Sequence, residues 1–226
     1  SFTAGKGETV ALIGATGCGK STVINLIPRF YDATEGTVSV DGVNVKDYSQ
    51  KELRNKIGYV SQKATLFTGT IESNVAYGDN GQKNASETDI KKALDIAQAS
   101  EFVDSLEDGS KAYVAQGGSN FSGGQKQRMS IARAIARKPE ILIFDDSFSA
   151  LDYKTDRVLR EALAKSCKDS TRIIVAQRIG TIRDADRIIV LEDGKIAGMG
   201  RHEELMRDCE VYRQIALSQL SKEELA

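Results

Sequence analysis

The sequence predicts an α/β fold built around a parallel sheet. Short β-rich runs alternate with helical patterns along the 226 residues, and this alternation is typical of the α/β class. Several of the runs are almost wholly apolar, such as Ile141–Phe144, which suits strands buried on both faces of a parallel sheet. Residues 64–138 interrupt the alternation with helices and loops. They predict a helical insertion between two sheet-forming parts.

The individual elements follow from these patterns. The predicted strands are Thr9–Ile13, Thr37–Val40, Ile57–Val60, Ile141–Phe144, Arg172–Ala176 and Arg187–Leu191. The predicted helices are Lys20–Ile27, Glu87–Ala97, Gln125–Arg137, Lys154–Ala164 and Glu210–Ser218. The dipeptide Asp193-Gly194 lies between two β-like runs and predicts a hairpin turn.

Composition narrows the class of protein. Lys and Arg total 31 against 32 Asp and Glu, so the broad basic field of a nucleic-acid-binding protein is missing and no nucleic-acid partner is expected. The three cysteines are far apart and predict neither a disulfide framework nor a metal pair. The sequence has one histidine, which excludes a catalytic site that needs several histidines. No apolar run approaches the ~18 residues that span a bilayer. The chain begins at Ser1 without Met, which predicts a domain from a longer protein.

The run from Gly14 to Ser21 matches the phosphate-loop pattern G-x-x-x-x-G-K-[ST]. It follows a predicted strand and opens a predicted helix, which is the context that the motif requires. Its glycines let backbone N–H groups turn toward an anion. Lys20 can reach the β- and γ-phosphates, and the Ser21 hydroxyl can bind Mg²⁺. Cys18 is interpreted as a small filler. The residues expected to hold the nucleotide here are Gly14, Thr16, Gly17, Cys18, Gly19, Lys20, Ser21 and Thr22.

Two carboxylates follow the apolar strand Ile141–Phe144. In a phosphate-loop enzyme, an Asp at this strand end holds Mg²⁺ through water, and Asp145 fits that role. Asp146 is then placed to face the attacking water. The alternative is an ordinary strand-to-loop turn with solvated carboxylates. The phosphate loop on the same chain favours the first interpretation.

A third motif, Ser122-Gly123-Gly124-Gln125, forms a predicted capping box at the start of a helix. Such an exposed helix N-terminus can also hold an anion. With the two motifs above, the run from Ser122 to Arg128 resembles the nucleotide-binding domain of an ABC transporter. Matching segments extend from about Gly5 to Leu217. They are Gln62 (the Q-loop), Ser149–Asp152 (the D-loop), and the exporter-type segments Arg29–Asp32 with Gly36 and Asp41-Gly42, and Gly200–Leu205.

The resemblance implies one domain over residues 1–226, truncated at its N-terminus. Residues 1–63 and 139–226 would form a RecA-like core with a small antiparallel β part. Residues 64–138 would form a helical subdomain that carries the signature motif. The aromatic residue that stacks on adenine is expected upstream of Ser1.

The resemblance also implies ATP and Mg²⁺ as cofactors. Ser21, Gln62 and Asp145 would hold the metal. Two domains would meet head to tail, so that Ser122, Gly123, Gly124 and Gln125 contact the partner's ATP. A transmembrane domain of the same chain is the other expected partner. The expected location is the cytoplasmic face of a bacterial plasma membrane, and the isolated domain would be soluble.

Two positions depart from the family pattern. Asp146 stands where Glu is usual, and Gln177 stands where His is usual. Asp is shorter by about 1.5 Å of reach, and Gln can accept or donate a hydrogen bond but cannot shuttle a proton. The residues predicted to act in catalysis are Lys20, Asp146 and Gln177. Because Asp146 and Gln177 depart from the family pattern, we expect water attack to be impaired. Gln116 replaces the usual Glu of an exporter loop, where surface drift is an equal alternative, and Phe121 replaces the usual Leu as a packing residue.

These departures resemble the degenerate half of a heterodimeric ABC exporter. The first hypothesis is therefore an ATP hydrolase that is weak as an isolated domain and lends its signature motif to a competent partner. The second is a regulatory module that binds ATP without turnover. A soluble ABC ATPase of DNA repair or translation is disfavoured because the chain has one cassette and no heptad run. A homodimeric exporter is a further alternative, but it would carry two impaired sites, which is hard to reconcile with transport.

Overall fold

The computed structural model describes residues 1–78, 81 and 84–223. The strands are β1 Thr9–Ile13, β2 Ser39–Val40, β3 Val43–Asn44, β4 Ile57–Val60, β5 Gly69–Thr70, β6 Tyr113–Val114, β7 Ile141–Asp145, β8 Thr171–Val175, β9 Arg187–Glu192 and β10 Lys195–Gly200. The helices are α1 Lys20–Asn25, α2 Gln50–Asn55, α3 Ile71–Val75, α4 Glu87–Ile96, α5 Ser100–Asp104, α6 Gly123–Ala136, α7 Tyr153–Ser166, α8 Ile179–Ile182, α9 His202–Asp208 and α10 Glu210–Glu223. Short 3-10 turns span Gly109–Lys111 and Gln116–Gly118.

A six-stranded sheet in the order β10-β9-β1-β8-β7-β4 forms the centre of the fold. Its pairs are parallel except for β9 with β10. This confirms the predicted α/β class with a parallel core. Asp193 and Gly194 both have positive φ, 47° and 76°, as a tight hairpin turn between β9 and β10 requires.

The central strands are buried on both faces, as their apolar sequences predict. In β1, Val10 and Leu12 belong to one hydrophobic cluster, whereas Ala11 and Ile13 belong to the other. Side chains alternate across a strand, so each face of the sheet carries its own apolar layer. Because β1, β8 and β7 run parallel to one another, their carboxyl ends lie at the same edge of the sheet, where the loops after β1 and β7 meet.

Some predicted boundaries are wrong. The strand predicted over Thr37–Val40 is reduced to β2, which in the described chain pairs with β3 and gives a small antiparallel β part. The predicted helix Lys20–Ile27 ends at Asn25. Residues between β4 and β7 contain α3 to α6, but they also contain the antiparallel pair β5–β6, which the sequence did not indicate. The division into a core and a helical subdomain stays a prediction.

Two arginines on α6, Arg128 and Arg133, hydrogen-bond to backbone carbonyls outside the helix. Arg128 donates to the carbonyl of Gln98 at 2.6 Å and lies 4.8 Å over the Phe102 ring. Arg133 donates to the carbonyl of Thr65 at 2.8 Å. Both side chains are half-buried, because they cap irregular backbone that packs on the helix. Among the described residues, no helix is both long and apolar enough to cross a membrane.

Ser147 directly follows the strand-end carboxylates and is fully buried, yet its hydroxyl has no hydrogen-bond partner in the described chain. We expect Ser147→Ala to raise the free energy of unfolding by about 1 kcal/mol, because a buried unsatisfied hydroxyl is removed. The melting temperature should rise by about 2–4 °C. Ser149→Ala is the control, since the Ser149 hydroxyl donates to the Asp146 carbonyl at 2.7 Å and its loss should destabilise. A destabilised Ser147→Ala protein would contradict the prediction.

Candidate active site

The loop between β1 and α1 takes its shape from glycines. A Cβ at Gly14 would lie 2.1 Å from the Leu191 carbonyl oxygen and 2.7 Å from Cys18 Sγ, so only glycine fits against β9. Gly19, which precedes α1, has φ 100°, a conformation that glycine adopts without steric cost. The loop therefore folds tightly over the end of the sheet, with Cys18 filling the space below it.

Lys20 lies inside this loop, with 8% of its surface exposed. Its Nζ donates to the carbonyl oxygens of Gly14 and Ala15, both at 2.8 Å. In the part of the chain that the structure describes, the N–H groups of Thr16, Gly17 and Gly19 have no protein acceptor. A cation and several free donors thus line one concave loop, which is the arrangement that binds phosphate oxygens. The predicted phosphate site fits this geometry, and Thr22 is exposed beside it on α1.

The first strand-end carboxylate meets the loop directly. The Ser21 hydroxyl donates to Asp145 Oδ1 at 2.8 Å. The Tyr59 hydroxyl lies 3.0 Å from Asp145 Oδ2 and 2.9 Å from Asn25 Oδ1, and its single proton can serve only one of them at a time. Burial and the nearby Asp145 charge raise the pKa of Tyr59, so it stays a neutral donor. The hydroxyl of Ser21 and the carboxylate of Asp145 are oxygen ligands of the kind that Mg²⁺ takes.

Sequence reasoning missed Tyr59 and Asn25. Tyr59 belongs to the segment that carries Gln62, but its position on β4 beside β7 is a long-range feature. The alternation of side chains along β4 offers a weak signal, because Tyr59 is the half-buried residue of an otherwise buried strand. Nothing local marks Asn25.

The second carboxylate is held by two amides. Gln62 Nε2 donates to Asp146 Oδ2 at 3.0 Å, and Gln177 Nε2 donates to the same oxygen at 2.7 Å. The structure therefore brings together three residues, of which Gln62 lies 84 positions before Asp146 and Gln177 lies 31 positions after it. Gln62, predicted as a metal ligand, is hydrogen-bonded to Asp146 and not to Ser21 or Asp145. Because its amide nitrogen makes that bond, its amide oxygen is left for a cation.

Asp146 is 7% exposed and has φ 47°, an uncommon conformation for a residue other than glycine. Its N–H donates to the Val175 carbonyl at 3.0 Å, which fixes the backbone at the end of β8. Burial raises the pKa of Asp146, and the charge of Asp145 adds to this. The hydrogen bonds from Gln177 and Gln62 and the charge of Lys20 act in the opposite direction.

This gives Asp146 a defined effect of pH on stability. Because its pKa is raised in the folded state, the folded chain binds more protons here than the unfolded chain. Its contribution to the free energy of unfolding therefore falls as pH rises above the unfolded pKa of about 3.9. Asp146→Asn removes this titration and keeps an amide oxygen as acceptor. We expect it to stabilise the chain by on the order of 1 kcal/mol at neutral pH, and by less near pH ~4.

Urea denaturation of the two proteins at both pH values measures the difference. Asp152→Asn is the matched control, since Asp152 is exposed, accepts from the Thr155 N–H at 2.9 Å and has a carboxyl pKa that the bonds from Thr155 lower. This change should not stabilise the chain at neutral pH. An Asp146→Asn protein that is less stable than the wild type at neutral pH would contradict the raised pKa.

The third motif opens α6 as predicted. Ser122 N–H donates to Gln125 Oε1 at 2.9 Å, and Gln125 N–H donates to Ser122 Oγ at 3.2 Å. This is the capping box. None of the hydrogen bonds that Ser122 or Gln125 makes in the described chain reaches the phosphate loop. Gly123 and Gly124 form the first turn of the 14-residue helix. The structure thus does not bring these four residues to the chain's own phosphate loop.

The remaining positions are peripheral to the site. Phe121 is half-buried and packs edge-on against Phe102, with ring centroids 6.4 Å apart, in agreement with a packing role. Gln116 is exposed in a 3-10 turn. The single histidine, His202, begins α9, and its Nδ1 lies 2.8 Å from the Tyr212 hydroxyl.

The parallel sheet, the phosphate loop after β1 and the carboxylates after β7 define a phosphate-loop nucleotide-binding domain. A family profile described as ABC transporter matches residues 1–149. An uncharacterised ABC transporter ATP-binding protein of Mycobacterium bovis is 47% identical over 219 residues, and ABC transporter B family member 21 of Arabidopsis thaliana is 46% identical over 216 residues. The chain belongs to the ABC transporter family and corresponds to its ATP-binding domain.

A solved structure agrees with this assignment. The structure of a bacterial Atm1-family ABC exporter with ATP bound matches 95% of this chain with a TM-score of 0.89 and 37% sequence identity. The chain spans only part of each of these proteins. The match covers 97% of this chain but 37% of the mycobacterial protein, 95% of this chain but 16% of the plant protein, and 37% of the exporter chain.

Proposed function

We propose that the chain is the motor domain of an ABC exporter, which binds MgATP and pairs head to tail with a different, competent domain. At its own site it hydrolyses ATP slowly or not at all. One observation carries the second part of this proposal. The Asp146 carboxylate, in the position from which water would be activated, accepts hydrogen bonds from Gln62 and Gln177 on a single oxygen.

Binding is assigned to groups that are all in place. Lys20 and the free N–H groups of Thr16, Gly17 and Gly19 would hold the phosphates. On binding, Lys20 would exchange its carbonyl partners, Gly14 and Ala15, for phosphate oxygens. Mg²⁺ would be held by three oxygen ligands: the Ser21 hydroxyl, the Asp145 carboxylate and the Gln62 amide oxygen. When bound, the metal would neutralise charge on the phosphates.

Water attack is where the site is weak. A general base must take a proton from the attacking water, but Asp146 is short, buried and directed toward two amides. Gln177 has no nitrogen that can take up a proton at neutral pH. The site can therefore orient a nucleotide, but an oxygen of its candidate base is occupied by two amide donors.

The exposed capping box at Ser122–Gln125 supports the pairing. It stands on a long helix whose first-turn N–H groups can hold an anion, and its own hydrogen bonds do not reach the chain's phosphate loop. A second domain, facing this one head to tail, would receive it against its ATP. Because the relatives are much longer than this chain, we assign the membrane-spanning part to the same polypeptide, with this domain on the cytoplasmic face.

A single-turnover experiment with radiolabelled MgATP tests the proposal. It is made in the assembly with the partner domain, whose own catalytic carboxylate is replaced by an amide, because this site needs the partner's signature motif. The chain is expected to bind ATP there and to convert it to ADP only slowly. Bound ATP that stays intact indefinitely would favour the alternative, a regulatory module without turnover. Robust turnover that is abolished by Lys20→Ala would contradict the impaired site. Absence of ATP binding would contradict the function as a whole.

A further inference from the structure

The C-terminal helix α10 reaches the segment that carries Gln177. The side chain of Gln219 donates from Nε2 to the carbonyl oxygen of Gln177 at 2.6 Å. Its Oε1 accepts the N–H of Ile179 at 2.7 Å. One amide side chain thus makes the paired contacts that a neighbouring strand would make, although it lies about 40 residues away in sequence.

The contact from Gln219 stabilises the backbone between β8 and α8. Gln177 and Arg178 lie between the end of β8 and the start of α8, and the helix has no side-chain cap at Arg178. The first N–H groups of a helix have no partner within the helix. Gln219 supplies the acceptor for one of them, at Ile179. The turn at Gln177 therefore depends on α10 for its backbone conformation.

On the opposite side, Arg178 fixes the same turn to the loop after β7. Its guanidinium donates to the carbonyls of Leu151 and Ser149 at 3.0 and 3.1 Å. It also lies 4.7 Å over the Tyr153 ring. With Arg178 held on one side and Gln219 on the other, the Gln177 side chain has little freedom in where it meets Asp146.

We propose that Gln219 is a positioning residue, which sets the contact between Gln177 and Asp146 and so makes α10 part of the control of the nucleotide site. The path has three steps: Gln219 to the Gln177 backbone, the Gln177 side chain to Asp146 Oδ2, and Gln62 to that same oxygen. A displacement of α10 would release the amide that now restrains Asp146. The regulatory meaning of this path rests on the proposed function, but the contacts themselves can be tested without nucleotide.

The test uses two variants and one control in the ligand-free chain. Gln219→Met keeps the side-chain length and removes both hydrogen bonds. Gln219→Glu keeps the acceptor for Ile179 N–H and loses the donor to the Gln177 carbonyl. Gln214→Met is the matched control, because Gln214 is exposed on the same helix and, within the described residues, its side chain hydrogen-bonds to Glu210. The readouts are NMR signals of the Gln177 and Gln62 side-chain amides and hydrogen exchange at Ile179 N–H.

We expect Gln219→Met to accelerate exchange at Ile179 by about 10-fold, as the loss of one hydrogen bond implies, and to shift the Gln177 amide signals away from their wild-type position. The Gln62 signals should shift in the same variant but by less, because Gln62 shares only the Asp146 oxygen with Gln177. Gln219→Glu should shift the Gln177 signals while it leaves Ile179 protected, and Gln214→Met should change neither. Unchanged Gln177 signals in both Gln219 variants would overturn the proposal.

A direct titration with MgATP separates this inference from the proposed function. If Gln219→Met shifts the Gln177 signals and the wild-type chain binds no ATP, the positioning role holds and the proposed function fails. If the chain binds ATP and neither Gln219 variant moves the Gln177 signals, the positioning role fails alone. Loss of folding in Gln219→Met leaves Gln219→Glu to decide.

Discussion

Replacing Asp146 with Glu and Gln177 with His together is expected to raise ATP turnover at this site by about 10²-fold. The added methylene extends the carboxylate by about 1.5 Å, beyond the point where Gln62 and Gln177 now hold Asp146. The imidazole replaces an amide that cannot exchange a proton with a group that can. Both changes act on the same proton transfer. Each single change alone should therefore raise turnover by less than about 10-fold.

The measurement is made in the transporter assembly, because the site needs a signature motif from its partner. The partner's own catalytic carboxylate is replaced by an amide, so that turnover reports on this site alone. The same double variant with Lys20→Ala is the control and should be inactive. Flat turnover in the double variant would place the deficiency outside Asp146 and Gln177.

The sequence was sufficient for features that depend on local pattern. The strands Thr9–Ile13 and Ile57–Val60 are found as predicted, because their apolar content reflects burial on two faces of the sheet. The phosphate loop was recognisable because its glycines and Lys20 act within eight consecutive positions. The capping box at Ser122 is equally local.

Features that depend on distant contacts were not predictable. The convergence of Gln62 and Gln177 on one oxygen of Asp146 requires the order of β4, β7 and β8 in the sheet, which no local pattern states. The left-handed backbone at Asp146 is held by the bond from its N–H to the Val175 carbonyl at the end of β8, which is a long-range contact. The role of Gln219 follows only from where α10 packs. Strands of two residues, such as β5, are too short to leave a periodic signal.

Lys20→Ala is expected to weaken MgATP binding by about 10²-fold or more. The Nζ of Lys20 is a buried ammonium within the phosphate loop, and hydrogen bonds from a charged donor contribute about 1.5–3 kcal/mol each. Its present partners are the carbonyls of Gly14 and Ala15, and a phosphate oxygen would exchange a neutral acceptor for a charged one. The gain on binding is therefore greater than for any neutral N–H group in the loop.

Isothermal titration calorimetry of the chain with MgATP measures the loss. Lys154→Ala is the matched control, since Lys154 is exposed on α7 away from the loop and should leave the affinity unchanged. Because Lys20 also ties the loop to itself, the melting temperature of the variant is measured as well. A loss of affinity with a wild-type melting temperature assigns the effect to the ammonium charge. Unchanged affinity would mean that the phosphates bind elsewhere, which would contradict the site described above.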